Sequence, residues 1–170
     1  MKNKGFTLVE LLVVMAILGV LVTLVAGGFR TAQMRGRDSK RKSDLKEIAN
    51  SLEVFYSDHG QYPDASSGAI VACPSPSTVC IWGASEFTDG ATVYFKTLPT
   101  DPVASQNYIY RAQEITGISA NQGYQLFARL ENPEDQNCLG GDCANSPVAH
   151  LCGVSTCNFA VTSANTSPTD

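Results

Sequence analysis

One carboxylate stands alone in the longest apolar stretch of the chain. Between Phe6 and Phe29 the only ionisable side chain is that of Glu10. About 24 residues at a helical rise of ~1.5 Å each would cross the hydrocarbon core of a bilayer, which is roughly 30 Å thick. A carboxylate inside lipid is costly unless a positive group pairs with it, so an intramembrane acid is a functional candidate by default. Glu10 therefore needs a cation that its own apolar segment does not contain.

A short basic leader, Met1-Lys2-Asn3-Lys4-Gly5, precedes this stretch. A secretory signal peptide has a shorter apolar region that ends in a small-residue cleavage site. Here the apolar run is longer and continues into an amphipathic segment, so we expect cleavage before it. The residues from Gly5 to Glu10 resemble the type IV pilin and type II secretion pseudopilin family. The resemblance implies that prepilin peptidase cuts after Gly5 and methylates the new N-terminus, Phe6.

The same resemblance supplies a partner for Glu10. Cleavage would create an α-amino group on Phe6 with an unperturbed pKa of about 8, and in the family this acid is held to pair with the N-terminus of a neighbouring subunit. The alternative is an ordinary single-span anchor in which Glu10 snorkels to the interface. The positive-inside tendency alone would reverse the topology, because basic residues are more numerous after the span than before it.

The cysteines favour a head outside the cytoplasm. Six cysteines all follow the span, and an even set is typical of disulfides in an oxidising compartment. Short separations favour pairing between neighbours, which would join Cys73 to Cys80, Cys138 to Cys143, and Cys152 to Cys157, although sequence does not fix connectivity. The last four cysteines can also be read as a zinc site with unusually long spacing.

The head offers little that resembles catalysis. Its two histidines, His59 and His150, belong to no recognisable nucleophile or metal motif, so we do not expect an enzyme or a required cofactor. Acidic residues cluster late in the chain, and several pseudopilins bind calcium in a loop of this general region. Glu131, Asp135 and Asp142 are the calcium ligands to test first, but their spacing is not that of an EF-hand loop, and a solvated acidic loop has the same composition.

Charge is divided unevenly along the chain. Seven of the twelve basic residues lie between Arg30 and Lys46, whereas ten acids and three basic residues follow Asp58. Such a distribution favours contacts between the helix of one subunit and the head of another, although a solvated helix face explains any single charge equally well. The basic run also suits lipid headgroups. We do not expect nucleic-acid binding, because no aromatic residues are interleaved with these charges.

The hydrophobic pattern predicts one long helix followed by a small head. Apolar residues recur at steps of three and four from Leu45 to Tyr56, and the first proline is Pro63, which predicts a helix over 6–58 with a membrane span over 6–29. Strands are expected at 107–112, 123–130 and 158–162, a long surface loop at 64–89, and a flexible tail at 163–170. Residues 59–162 would form an extracytoplasmic head after the leader, 1–5, and the helix.

The family resemblance continues in the helix end, in Gly60-Gln61-Tyr62-Pro63 and in Leu98-Pro99-Thr100-Asp101-Pro102. It implies an α+β lollipop in which the long helix packs on a small antiparallel sheet, and it lies closest to the major pseudopilins. The implied function is that of a subunit in a filament built from many copies of the chain. The subunit would be held in the inner membrane before an assembly platform adds it to a periplasmic or extracellular fibre. The alternative is a monomeric, single-pass, membrane-anchored binding module.

Overall fold

The structure, a computed structural model, describes residues 5–74, 78–112 and 120–169. Of residues 24–27 it describes the backbone only. One helix, α1, runs from Leu8 to His59. Its 52 residues at ~1.5 Å each make a rod about 78 Å long. Gly60 ends it with a left-handed φ of 69°, and the Gly60 N–H donates to the carbonyl of Tyr56 at 2.7 Å. A glycine there avoids the steric cost that a Cβ carries in this conformation.

The helix has two halves with different surroundings. Over residues 8–29, the apolar half, every described side chain is exposed. From residue 38 to the end of α1, the packed half, buried side chains recur every three or four residues and face the head. Leu45, Ile48 and Leu52 are completely buried. The spacing that predicts an amphipathic helix is thus the spacing that meets the core.

Three small antiparallel sheets form the head. The first is the hairpin β1 (Asp64–Ser66) and β2 (Ala69–Val71), and the second pairs β3 (Phe87–Thr88) with β4 (Val93–Phe95). The third has the order β5 (Ile109–Arg111), β6 (Gln125–Ala128) and β7 (Phe159–Thr162). A 3-10 turn lies at Leu139–Gly141. The predicted α+β fold, a long helix on small antiparallel sheets, is confirmed.

The central strand β6 is buried on both faces. Leu126 and Ala128 join the core against α1, while Phe127 packs on the other face with Val148 and the disulfide Cys152–Cys157. A third cluster joins Leu130 to Cys138 and Cys143. The loop closed by Cys152–Cys157 therefore covers the side of the sheet that faces away from the helix.

All six cysteines form the neighbour pairs that short separation favours: Cys73–Cys80, Cys138–Cys143 and Cys152–Cys157. The alternative zinc site is wrong, because the four late thiols are consumed by two disulfides.

Two expectations from composition are corrected. Residues 64–89 are not a long surface loop, because they contain the β1–β2 hairpin and strand β3. Ser67 and Gly68 both have positive φ, 50° and 79°, which is the backbone of a tight two-residue hairpin turn. Residues 163–169 are not a loose tail either: Ser163 is buried and its hydroxyl accepts from the Tyr124 N–H, while the Gln125 side chain donates to the Ser167 carbonyl.

Candidate assembly site and stem–head junction

The residues with predicted roles in processing and assembly lie together at the start of α1. Gly5, Phe6 and Thr7 precede the first helical residue and are exposed, and Phe6 is 85% accessible. The described backbone around the Gly5–Phe6 bond is outside any helix or strand. A peptide that is exposed and outside regular secondary structure is the form in which a protease can bind a chain.

Thr7 and Glu10 form a capping box at the N-terminus of the helix. The Thr7 hydroxyl accepts from the Glu10 N–H at 3.3 Å, and Oε2 of Glu10 accepts from the Thr7 N–H at 2.8 Å and from the Thr7 hydroxyl at 2.7 Å. These contacts satisfy donors that the first helical turn leaves free. Sequence reasoning missed Thr7, although threonine followed three residues later by glutamate is a known signature of a helix start.

Only one oxygen of the Glu10 carboxylate is used by this box. Both bonds from Thr7 end on Oε2, and within the described residues no donor reaches Oε1. The negative charge has no cationic partner in the described ranges either. The site therefore presents an oriented carboxylate with one oxygen open to a further donor.

The apolar half has no partner within the chain. It is long and apolar enough to cross a membrane, and its most apolar stretch of 18 residues is not buried at all. Leu12, Leu18 and Leu21 each expose more than half of their surface. Contiguous apolar surface of this size marks a membrane or protein interface.

A second polar cluster, the stem–head junction, lies where α1 enters the head. It comprises Arg37, Asp38, Arg41, Asp101 and Glu131. The Arg41 guanidinium is completely buried and binds Asp101 through two parallel hydrogen bonds, from Nε at 2.7 Å and from Nη2 at 2.8 Å. Its Nη1 donates to Asp38 at 2.8 Å and to Glu131 at 2.7 Å. Four of the five N–H donors of this guanidinium thus reach carboxylates.

The remaining contacts complete the junction. Arg37 holds Glu131 through Nε at 2.8 Å and Nη2 at 2.5 Å. Asp38 accepts the backbone N–H groups of Glu131 and Asn132, and Asp101 accepts that of Val103 at 2.8 Å. The buried Asp38 and Asp101 therefore each accept from a guanidinium and from a backbone N–H. The partly buried Glu131 accepts from two guanidinium groups, so each carboxylate has the donors that a buried charge requires.

These contacts shift the ionisation of the groups involved. Hydrogen bonds from Arg37 lower the pKa of Glu131 to about 2, despite partial burial, and Arg41 adds to the effect. Burial alone would disfavour the charged form of Arg41, but hydrogen bonds to Asp101 and Glu131 outweigh it and raise the pKa of the guanidinium. Glu131 and Arg41 are therefore both charged at neutral pH.

The basic residues of α1 are used mainly inside the chain. Lys40 pairs with Asp44 at 3.3 Å, Lys42 with Asp135 at 2.6 Å, and Arg35 with Glu134 at 3.7 Å. The interpretation of this run as a surface for another subunit's head is thus reduced to Arg30 and Lys46, which form no salt bridge in the described part of the chain. The pairs that Arg37 and Arg41 form with Glu131 and Asp101 join residues 60 to 94 positions apart, which hides them from local pattern analysis.

Comparison with known proteins decides the family. A profile described as the prokaryotic N-terminal methylation motif matches residues 1–26, and one described as type II secretion system (T2SS), protein G matches residues 30–125. The chain belongs to the protein G family of type II secretion. The family consists of structural pseudopilin subunits rather than enzymes, which confirms the prediction that this chain is not an enzyme.

Individual relatives agree with this assignment. The type II secretion system core protein G of Klebsiella pneumoniae is 33% identical over 106 residues, which is 61% of this chain and 71% of that protein. The protein of the same name from Escherichia coli K12 is 33% identical over 101 residues, or 59% and 67%. The type IV major pilin protein PilA of Myxococcus xanthus is 36% identical over 63 residues, or 37% and 29%. No solved structure matches the chain.

The protein G match ends inside the third sheet of this head. It covers α1 from residue 30, the two hairpins and β5, and stops at the first residue of β6. Residues 126–169 lie beyond it, and they contribute β7, two disulfides and Glu131. The junction therefore joins protein G residues, Arg41 and Asp101, to a segment outside the match.

The structure does not bring the three predicted calcium ligands together. Glu131 is held by Arg37 and Arg41, and Asp135 by Lys42. Asp142 instead accepts from the Ala144 N–H and the Asn145 side chain within its own turn. Within the described residues no group of three or more histidines, cysteines or acids is arranged to hold a metal ion.

The two histidines of this protein G homologue have structural surroundings. His59 stacks on Phe55, and its Nε2 lies 3.2 Å from a carboxylate oxygen of Asp89. His150 lies 3.1 Å from the guanidinium of Arg111, and burial followed by that positive charge lowers its pKa. Neither histidine contacts a serine, threonine or cysteine nucleophile in the described hydrogen bonds.

Proposed function

We propose that this chain is a prepilin that is cleaved between Gly5 and Phe6 and then assembled as a subunit of a type II secretion pseudopilus. The observation that carries the proposal is the pairing of an exposed, membrane-length helix half with an exposed Gly5–Phe6 bond directly before it. A type IV pilus is the second candidate, supported by the similarity of the helix region to a major pilin.

The apolar half supplies the driving force for both stages. Before assembly, its side chains are placed in the inner membrane, because their exposure to water would be unfavourable. Extraction from lipid becomes acceptable only when equivalent faces of neighbouring helices replace the acyl chains. Side chains such as Leu12 and Leu21, which contact nothing in their own head, would then form the core of the filament.

Glu10 would select the partner during that exchange. The capping box orients its carboxylate and leaves Oε1 open, but hydrogen bonds from Thr7 do not neutralise the charge. An α-amino group on the Phe6 of a neighbouring copy would donate to that oxygen and cancel the charge. In a medium of low dielectric constant the two paired charges attract each other strongly, whereas either charge alone would be costly.

The remaining partners follow from this route. Prepilin peptidase would bind the exposed leader junction, and an inner-membrane assembly platform would receive the mature subunit. Three disulfides favour a head in the periplasm or outside the cell.

Mass spectrometry and filament recovery test the proposal together. The mature protein should begin with a methylated Phe6, and Glu10→Gln should be processed normally but yield few or no sheared filaments. Glu47→Gln is the matched control, because Glu47 is an exposed carboxylate on the packed half of the same helix. Its filament yield should equal that of the wild type.

Two results would contradict the proposal. Retention of Met1 to Gly5 in the membrane-extracted protein would remove the processing step. Filaments of normal abundance from Glu10→Gln would show that charge pairing at this position is dispensable. If the chain is instead a monomeric anchored module, cross-linking through cysteines placed in the apolar half should recover no covalent dimers.

A further inference from the structure

Three segments far apart in sequence converge on one guanidinium. Arg41 lies on the stem, Asp101 in the loop after β4, and Glu131 beyond β6, while Asp38 is one helical turn before Arg41. The Arg41 side chain is fully buried, and those of Asp38 and Asp101 are almost so. No other contact of the junction joins all three segments.

The carboxylates of this cluster outnumber its cations. Asp38, Asp101 and Glu131 contribute three negative charges, and Arg37 and Arg41 two positive ones, so removal of Arg41 would leave a strongly negative, largely buried group. Carboxylate oxygens gathered from separate loops are what a calcium site uses. Here their inner positions are filled by N–H donors of the protein itself.

We propose that Arg41 is a built-in cation that takes the place of a metal ion at the stem–head junction, so that the head is held on its stem without calcium. The geometry supports this over a vacant metal site. Glu131 accepts from two guanidinium groups at 2.5 to 2.8 Å, and Asp101 is bidentate on Arg41. A calcium ion would have to displace three hydrogen bonds from Glu131 alone.

Asp135 and Asp142, the other predicted calcium ligands, do not extend the cluster. Lys42 neutralises Asp135 at 2.6 Å, and Asp142 is turned to its own loop. Each acid of the 131–135 segment thus receives positive charge from α1: Glu131 from Arg37 and Arg41, Glu134 from Arg35, and Asp135 from Lys42. Four cations spread along the stem thus supply the positive charge that a bound ion would supply at one point.

Thermal unfolding of the full chain in detergent micelles tests the proposal directly. The unfolding midpoint of the wild type should be the same in calcium chloride and in EDTA, and calorimetric titration with calcium chloride should show no binding heat that Glu131→Gln removes. Arg41→Met keeps an unbranched stem of four atoms but removes the guanidinium and its charge, and it should lower the midpoint by about 10 °C.

A double variant separates lost charge from lost packing. Arg41→Met with Asp101→Asn removes one of the carboxylates left without a partner, so it should recover part of the lost midpoint. If Arg41→Met does not fold, Arg37→Gln serves in its place, because its side chain is a third exposed and Arg41 still holds Glu131. Lys46→Gln, an exposed cation on the same helix, is the control and should leave the midpoint unchanged.

Three outcomes would overturn the inference. One is stoichiometric calcium binding by the wild type that Glu131→Gln abolishes. Another is a calcium-dependent rise in the wild-type midpoint. The third is an Arg41→Met protein as stable as the wild type, or one that Asp101→Asn destabilises further.

Discussion

The two halves of α1 share one backbone conformation but differ in what completes them. The packed half buries Leu45, Ile48 and Leu52 against its own head, and its buried charged groups are paired within the same chain. The apolar half buries none of its described side chains, and the carboxylate at its start has no cation. Folding of the chain alone buries the core face of the packed half, whereas the apolar half requires a bilayer or other copies to cover it. Under the proposed function, the difference separates residues that govern stability from residues that govern assembly.

Truncation of equivalent leucines should expose this division most clearly. Leu52→Ala creates a cavity in the core and should lower the free energy of unfolding by about 2 to 5 kcal/mol. Leu12→Ala should leave it unchanged, because Leu12 contacts nothing in the head. Urea unfolding in micelles, followed by fluorescence of the single Trp82, measures both. Equal losses from the two variants would mean that the apolar half contributes to head stability.

Acid should weaken the attachment of the head to α1 by protonating Glu131. The pKa of this carboxyl is about 2 in the folded protein against an ordinary value of 4.5, so the folded state binds protons less readily than the unfolded one. The low pKa contributes about 3 kcal/mol to the free energy of unfolding. This contribution is fully present above about pH 5 and is lost as the pH falls towards 2. Urea midpoints across this range measure it.

Arg37→Gln is the comparison for that pH profile. It removes the largest cause of the low pKa, so the slope between pH 5 and 2 should become shallower. Lys46→Gln should retain the wild-type slope. A wild-type stability that stays flat down to pH 2 would contradict the ion pairing of Glu131.

Local pattern was sufficient for the helix and for the third sheet. The period of three and four residues places the core face of α1, and alternation along 123–130 separates Leu126 from Phe127, which do pack on opposite faces of β6. The first hairpin was missed because Ser67-Gly68 lies in a segment of small polar residues, although a serine-glycine pair is a turn signal. The stem–head junction was not predictable, since its pairs depend on contacts between residues 60 to 94 positions apart.

The disulfides give a smaller test, confined to the head. Replacing both Cys138 and Cys143 by serine opens a short loop, and loop-closure entropy for so few residues is worth about 2 kcal/mol. Thermal unfolding of the double variant should show a loss of that size. The apolar half should be unaffected, so membrane insertion, measured by carbonate extraction, should match the wild type. A loss of insertion would show that the two halves are not independent.

The smallest expected effect lies at the first turn of the apolar half. Thr7→Ala removes the hydroxyl that caps α1 and one of the two donors to Oε2 of Glu10, whereas the Thr7 N–H remains. Loss of an N-cap costs about 1 kcal/mol, so filament yield should fall roughly five-fold rather than vanish. Thr7→Ser restores the hydroxyl and should restore the yield. Because Thr7 contacts no residue of the head, the urea midpoint of both variants should equal that of the wild type. A lower midpoint for Thr7→Ala would place this residue with the packed half, and a complete loss of filaments would mean that the capping box does more than orient one carboxylate.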